Sequence, residues 1–315
     1  MHPFSIVPAS SASKPNTMVI AGGTDMIQLL RNGVVRPDTL RSLDVATAQH
    51  IATDPDGALR LPALATMAQV GAHPLVRAGW PAISDALLAA ASPQIRNLGT
   101  VGGNLLQRTR CLYFRDTAFP CNKREVGSGC PAIPGRNREL AILGGSDHCI
   151  ATHPSDMPAA LIAFDAAIET DRGRTMKLAD FYRLPGDTPW IENDLQPGEL
   201  ITAIVVPASQ AARRSTYVKV RDRQSYAYAL ASVAAGIEIQ NGTITDIRLA
   251  AGGVGARPWR LPEVEAALRG QSPTPENIRA ASALAANGSI GRSENAFKIK
   301  LLVNVTRRAI ETVSA

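Results

Sequence analysis

Every cysteine of the chain falls in one stretch, "CLYFRDTAFPCNKREVGSGCPAIPGRNRELAILGGSDHC", which begins at Cys111, passes Cys121 and Cys130 and ends at Cys149. The spacings are C-x9-C, C-x8-C and C-x18-C. Sulfur ligands gathered this way suit three chemistries. Disulfides need an oxidising compartment. A zinc site normally draws on closely spaced cysteine pairs, and none is present here. A four-cysteine iron–sulfur cluster needs only four thiolates that converge, and it tolerates irregular spacing. Pro131 directly follows Cys130, as is common beside cluster ligands. Gly127, Ser128, Gly129, Gly144 and Gly145 are placed to offer N–H groups to sulfur, and Arg110, Lys123 and Arg124 to offset negative charge. On the residues alone, all three readings stay open.

A second chemistry is suggested by two glycine segments, "AGGTD" at 21–25 and "TVGGN" at 100–104. Paired glycines let backbone N–H groups approach an anion, and a following helix adds partial positive charge. Two such turns in one fold can grip a single pyrophosphate from both sides. Either one alone is equally a plain tight turn. No G-x-G-x-x-G and no G-x-x-x-x-G-K-[ST] occurs, so neither a Rossmann site nor a P-loop is indicated.

The surrounding pattern supplies the elements that must hold these residues. "NTMVIAGGTDMIQLLRNG" reads as strand, glycine turn and helix. "TLRSLDV" and "ALRLPALAT" read as short strands, and "PAISDALLAAAS" has helical apolar spacing that ends before Pro93. The cysteine-rich stretch has little periodicity and reads as a loop-like insertion, after which "DMPAALIAFDAAIET" resumes a packed pattern. Pro207 to Ser215 reads as a linker. Beyond it come strands with an Asn241–Gly242 hairpin, then two helical segments, "PENIRAASALAAN" and "ENAFKIKLLVNVTRRAIETV".

With 315 residues, 45% hydrophobic and 19% charged, the chain is long enough for two or three compact units. The net charge of +6 and pI near 9.4 come without basic runs longer than pairs such as Arg213–Arg214 and Arg307–Arg308, and aromatics are only 4%. That balance favours an anionic cofactor or acidic partner over nucleic acid. No apolar run approaches the ~20 residues needed for membrane insertion. The first residues show no secretory signal, so a soluble protein is expected, cytoplasmic or periplasmic by export with a partner.

Taken together, "AGGTD", "IRNLGTVGGNLLQ", "HPSDM" and "YVKVRDRQSYAYALASVAA" resemble the FAD-binding subunits of the molybdenum hydroxylase (xanthine dehydrogenase) family, in order and in spacing, from about residue 18 to the end. The cysteine stretch and "CIATHPSDM" are most similar to the flavin subunit of bacterial three-subunit aldehyde oxidoreductases. One stretch departs: "ASSASKPN", at 9–16, stands where family members usually carry a short helix.

The resemblance implies an α+β fold. A two-subdomain FAD-binding domain of the vanillyl-alcohol-oxidase/molybdopterin-dehydrogenase type would span 1–207, with an iron–sulfur insertion at about 105–150. A C-terminal α+β domain of a small antiparallel sheet and helices would span 208–315. It implies that Val19, Ile20, Ala21, Gly22, Gly23, Thr24, Asp25 and Met26 wrap the FAD diphosphate, joined by Thr100, Val101, Gly102, Gly103 and Asn104. Asp156 would bond the adenosine ribose, Lys219 would lie near the pyrimidine end of the flavin, and Ile201 would make an apolar contact. Cys111, Cys121, Cys130 and Cys149 would ligate a [4Fe–4S] cluster.

The implied partners are a large subunit with the molybdenum cofactor, a small subunit with two [2Fe–2S] clusters, and an external electron acceptor. Substrate oxidation would take place on the large subunit, so no catalytic residue is expected here. The competing readings are a stand-alone FAD oxidoreductase, the flavin subunit of a related hydroxylase or aryl-CoA reductase, and a structural subunit with a zinc-held loop. A stand-alone enzyme needs a base near the flavin. Only His148 and His153 lie near the motifs, and Tyr226 and Tyr228 in "SYAYAL" read as alternate strand positions.

Overall fold

A computed structural model describes residues 3–11, 15–45 and 50–315. Part of the "ASSASKPN" stretch, residues 12–14, lies outside them. The architecture is α+β, with three separate sheets. The first is parallel, with Thr39–Ser42 between Ser5–Pro8 and Thr17–Ile20. The second is antiparallel, in the order Ala52–Thr53, Leu59–Pro62, Ile201–Val206, Ala167–Thr170 and Thr175–Lys177. The third is antiparallel, in the order Trp259–Arg260, Thr243–Gly252, Ala231–Gln240 and Ser215–Val220.

Ala167–Thr170 buries alternate side chains, whereas Ala231–Gln240 is buried on both faces along its first seven residues. Leu59, Leu61, Ile168, Ile204 and Val206 pack under the helices Pro81–Ala89 and Met157–Ala163. In the C-terminal half, Val233, Ile237, Ile247 and Leu249 meet Leu302, Val305 and Ile310 of the long helix Phe297–Ser314. The hairpin between its two long strands turns at Asn241 and Gly242, both at positive φ (49° and 77°), which suits an Asn-Gly pair. No helix among the described residues is long and apolar enough to cross a membrane.

The cysteine stretch is not a bare loop. It begins with the short helix Leu112–Arg115 and builds a small core from Tyr113, Phe114, Ala132, Leu140 and Ile150 together with Leu29 of the first helix, with the cysteines packed into it. The far end of the stretch is clasped by the C-terminal unit. Asn137 donates to Ser293 Oγ at 3.1 Å and to nearby carbonyls, and its backbone N–H reaches Glu294 at 2.9 Å. Asn295 donates to Leu140 O and Ala141 O. Fully buried Lys298 donates to the carbonyls of Glu139, Leu140 and Gly253 at 3.2, 2.9 and 2.6 Å.

Two local expectations are corrected. The Pro207–Ser215 stretch is no loose linker: Ser209 caps a short helix, Gln210–Arg213, whose Ala211 and Ala212 are fully buried. The apolar residues inside a polar-looking stretch have a core to enter. Tyr226 and Tyr228 are not in a strand. They sit on the loop before Ala231, Tyr226 at a φ of 52°, and both are exposed.

Candidate cofactor site

The two glycine segments converge on one cavity of about 1060 Å³. They touch each other at its edge. A Cβ on Gly22 would fall 1.7 Å from the carbonyl oxygen of Leu98, and one on Gly99 would fall 3.3 Å from Thr24 Oγ1. Only a glycine at 22 lets the first turn dock there, and Gly23 takes the left-handed φ of +71° that the turn requires.

The second segment is not a turn but the start of a short helix, Val101–Leu105, capped by Thr100, whose Oγ1 accepts from Gly103 N–H at 3.1 Å. Its two glycines have different jobs. Gly102 faces inward: its N–H donates to Ala63 O at 2.8 Å, and a Cβ would lie 2.9 Å from that of Ala63. Gly103 faces the cavity.

Of the residues expected at the cofactor, Thr24, Asp25, Thr100, Gly103, Asn104, Asp156 and Lys219 line this cavity. Val19, Ile20, Ala21, Gly22, Gly23, Met26, Val101, Gly102 and Ile201 do not. Val19 and Ile20 belong to the parallel sheet. Ile201 is buried in the five-stranded sheet opposite Thr170.

Charge is arranged in two groups. Asp25 accepts from Arg108 N–H at 2.8 Å and pairs with Arg115 at 2.8 Å and Arg110 at 3.0 Å. The carboxylate thereby aims two guanidinium groups, both lining the cavity, where an anionic ligand needs them. Arg110 also lies over the Tyr228 ring, 5.1 Å from its centre. Burial draws the Arg115 pKa below its ordinary value while Asp25 opposes that shift.

The second group is a buried pair. Asp156 accepts from the Tyr217 hydroxyl at 2.6 Å, and its other oxygen pairs with Lys219 at 2.7 Å. Lys219 donates further to Ala89 O at 3.2 Å. Asp156 occupies the N-cap position of Met157–Ala163 but its side chain makes no capping bond, so both oxygens are left for Tyr217 and Lys219. Since Asp156 and Lys219 touch, they cannot serve opposite ends of a dinucleotide, and the two separate roles expected for them merge into one place.

His153 lines the same cavity. Its ring meets Tyr182 edge-on at 4.7 Å, Nδ1 accepts from Ser155 N–H at 3.4 Å, and Nε2 is sealed from solvent without a partner. Desolvation draws its pKa down to about 4, so the ring is neutral near neutral pH.

The four cysteines, all free thiols, line one small space together with Asn122, Lys123 and His148. Cys111 lines both this space and the large cavity. Among the described residues one backbone N–H donates to a cysteine sulfur, that of Ala151 to Cys149 Sγ at 3.4 Å, while the N–H groups of Phe114 and Ile133 go to the carbonyls of Cys111 and Cys130. Burial pushes the Cys111 thiol up to about 12 and raises Cys130 and Cys149 as well, while Lys123 pulls the other way at Cys149. Among the described residues no three His, Cys, Asp or Glu side chains converge on a single metal ion. Four thiols around a shared space, with Lys123 beside them, are a donor set that fits a four-thiolate cluster.

The residues expected to support the sulfurs are partly different. Gly129 N–H goes to Asn122 Oδ1 at 2.7 Å. The Arg124 guanidinium holds the carbonyls of Tyr113, Phe114 and Phe119. Arg110 belongs to the cavity, and Lys123 alone of the three expected cations lines the thiol space. Arg115 was not singled out in the sequence. Its only signal was the alternation of basic residues with the first cysteine in "QRTRCLYFR".

With this geometry in place, comparison with known proteins defines the class. Residues 6–209 match the family model described as the FAD binding domain in molybdopterin dehydrogenase, and residues 216–313 match the CO dehydrogenase flavoprotein C-terminal domain. The chain belongs to the FAD-binding medium subunits of the molybdenum hydroxylase family and is an oxidoreductase subunit.

It is 45% identical over 263 residues to the aldehyde oxidoreductase FAD-binding subunit PaoB of Escherichia coli (strain K12), a match covering 82% of this chain and 81% of that one. The glyceraldehyde dehydrogenase medium chain of Sulfolobus acidocaldarius is 29% identical over 79% of this chain and 72% of its own. Among solved structures, quinoline 2-oxidoreductase from Pseudomonas putida 86 superposes with a TM-score of 0.75 at 22% identity, covering 99% of this chain and 97% of that one, a likeness of fold.

Proposed function

We propose that this chain is the FAD and [4Fe–4S] electron-transfer subunit of a heterotrimeric, molybdenum-dependent aldehyde oxidoreductase. In this reading a large molybdenum subunit oxidises the substrate, and a small subunit with two [2Fe–2S] clusters passes electrons to this chain and on to an external acceptor. The observation that carries it is the thiol space: four cysteines spread over 111–149 line one site, and one of them also lines a cavity of dinucleotide size. The 45% identity to an aldehyde oxidoreductase FAD-binding subunit supports the aldehyde class.

The division of labour follows from the residues. The FAD-binding domain is 1–207 with the insertion at about 105–150, and the C-terminal domain is 208–315. Arg110 and Arg115, held by Asp25, neutralise the diphosphate, and Thr24, Thr100, Gly103 and Asn104 line its path. Gly22, Gly23 and Gly102 let those segments approach. Asp156 and Lys219 offer an acceptor and an ammonium at one place in the wall. Ile201, Val101 and the strand Val19–Ile20 support from behind. FAD, when bound, exchanges one or two electrons, and a four-thiolate cluster one at a time.

Purification without air, with its partner subunits, tests the reading. Acid precipitation is expected to release FAD, and iron and sulfide are expected near ~4 each per chain. Stoichiometric zinc without acid-labile sulfide, or a chain that purifies alone and oxidises an aldehyde with a dye, overturns it.

A further inference from the structure

Lys123 is placed unlike any other cation of the insertion. Among the described residues it is the one ammonium or guanidinium that lines the thiol space, and its side chain is only 8% exposed. Its position is fixed from three directions. Asn122 beside it is tied to His148 O at 3.0 Å and to Gly129 N–H at 2.7 Å. Lys123 Nζ donates to Pro189 O at 2.7 Å and pairs with Glu192 at 3.0 Å. Glu192 in turn is shared with Arg108, whose guanidinium lies over Phe114, 4.7 Å from the ring centre. One carboxylate between two cations leaves the wall beside the sulfurs net positive.

The other charged groups facing this space do not compete. His148 is half-exposed and turned to Asp187 at 3.4 Å, and Arg124 is taken up by three carbonyls. At Cys149 the Lys123 charge already favours the thiolate.

We propose that Lys123 is a positioning residue that raises the reduction potential of the iron–sulfur group on this insertion, with Glu192 setting how far. This rests on the cluster reading above. A cluster on four thiolates is anionic, and each electron it accepts adds one more negative charge. A buried cation at a fixed site stabilises the more negative state, because charge interactions strengthen where water is excluded. Net charge and hydrogen bonds to sulfur are the levers that set such potentials. Of the N–H groups expected to do this, those of Gly129 and Ser128 are engaged elsewhere, at Asn122 Oδ1 and Glu125 O, whereas Lys123 lines the space itself.

The test is a dithionite titration of the assembled complex without air, with redox mediators, read by the cluster's spectroscopic signal rather than by turnover. In Lys123→Met, iron is expected to stay at the unsubstituted level while the reduced-to-oxidised ratio at a fixed poise falls about tenfold, a shift of ~59 mV to lower potential for one electron. Lys123→Arg keeps the charge and should stay close to the unsubstituted value. Lys123→Met/Glu192→Gln removes both charges and should fall between. If Lys123→Met alone loses iron, the double variant and Lys123→Arg carry the comparison, and a double variant at the unsubstituted potential overturns the proposal. Full iron with an unchanged potential in Lys123→Met overturns the proposal and leaves the cluster reading intact. No iron or sulfide in the unsubstituted chain overturns the cluster reading, and this inference with it.

Discussion

The large cavity and the thiol space share Cys111 as a common wall but are built in opposite ways. The cavity draws its lining from both glycine segments, the insertion, residues 153–156 and the edge strand Ser215–Val220. Its charges are salt bridges between segments far apart in sequence, Asp25 with Arg110 and Arg115, Asp156 with Lys219. The thiol space is lined only by residues 111–151. Its polar support is Asn122, tied to His148 O and Gly129 N–H, the Lys123 ammonium, and the Ala151 N–H at Cys149. The cavity therefore depends on how distant segments dock, whereas the thiol space takes its sulfurs from one segment, which Leu29, the C-terminal unit and Glu192 steady from outside. A site of the first kind should fail piecemeal when a partner is removed; one of the second kind should fail as a whole.

The largest expected effect tests that separation. Cys121→Ser should abolish iron binding, since three thiolates and a hydroxyl are a poor set for a cluster, while acid-released FAD stays near one per chain. FAD lost in parallel with iron would show that the two sites are not independent.

Next in size, Arg115→Met removes one of the guanidinium groups that Asp25 holds and leaves that partly buried carboxylate with one fewer partner. FAD affinity is expected to fall about a hundredfold, ~3 kcal/mol, as for the loss of one member of a buried charge pair. Fluorescence titration of flavin-free protein measures it. Iron content should stay unchanged, and a parallel loss of iron would erase the distinction drawn here.

A smaller effect follows from His153 at the cavity wall. Its folded pKa, about 4, lies below the ordinary 6.5, so the unfolded chain binds a proton in that range and the folded chain does not. The associated stability is complete above pH 6.5 and is lost as the pH falls towards 4. Between pH 6.5 and 5 the loss should be roughly 2 kcal/mol. Urea midpoints at the two pH values, compared with those of His153→Gln, isolate it; identical acid sensitivity in the two proteins would refute the assignment.

The smallest effect separates support from contact among the glycines. Gly102→Ala puts a methyl against Ala63, and the cost should be about 1 kcal/mol of stability from overpacking. FAD affinity should change little, because Gly102 does not line the cavity. A normal melting temperature with lost FAD would restore Gly102 to the cofactor.

Much of both sites was legible in the chain. Four cysteines in one window and two glycine segments flanked by strand and helix patterns are local signals, and local signals survive in sequence. The same holds for the Asn-Gly hairpin. What misled were positions whose role depends on what lies across from them. "TVGGN" reads as a turn because two adjacent glycines weaken a helix, yet the Thr100 cap and the contact with Ala63 hold it helical. "SYAYAL" alternates like a strand, yet Tyr226 takes a φ of 52° and the stretch stays a loop until Leu230 bonds to Val220 O.

The sequence by itself determined the ligand inventory: which thiols, glycines and cations exist, in what order, and the family they resemble. Composition and spacing suffice for that, because they do not depend on distance in space. Only the tertiary structure decided who meets whom. It joined Asp156 to Lys219, gave Asp25 to Arg110 and Arg115, turned Gly102 inward and Gly103 outward, and set Lys123 beside Cys149. These are choices between long-range partners for buried polar groups. A buried charge or N–H must find its counterpart wherever the packing brings one.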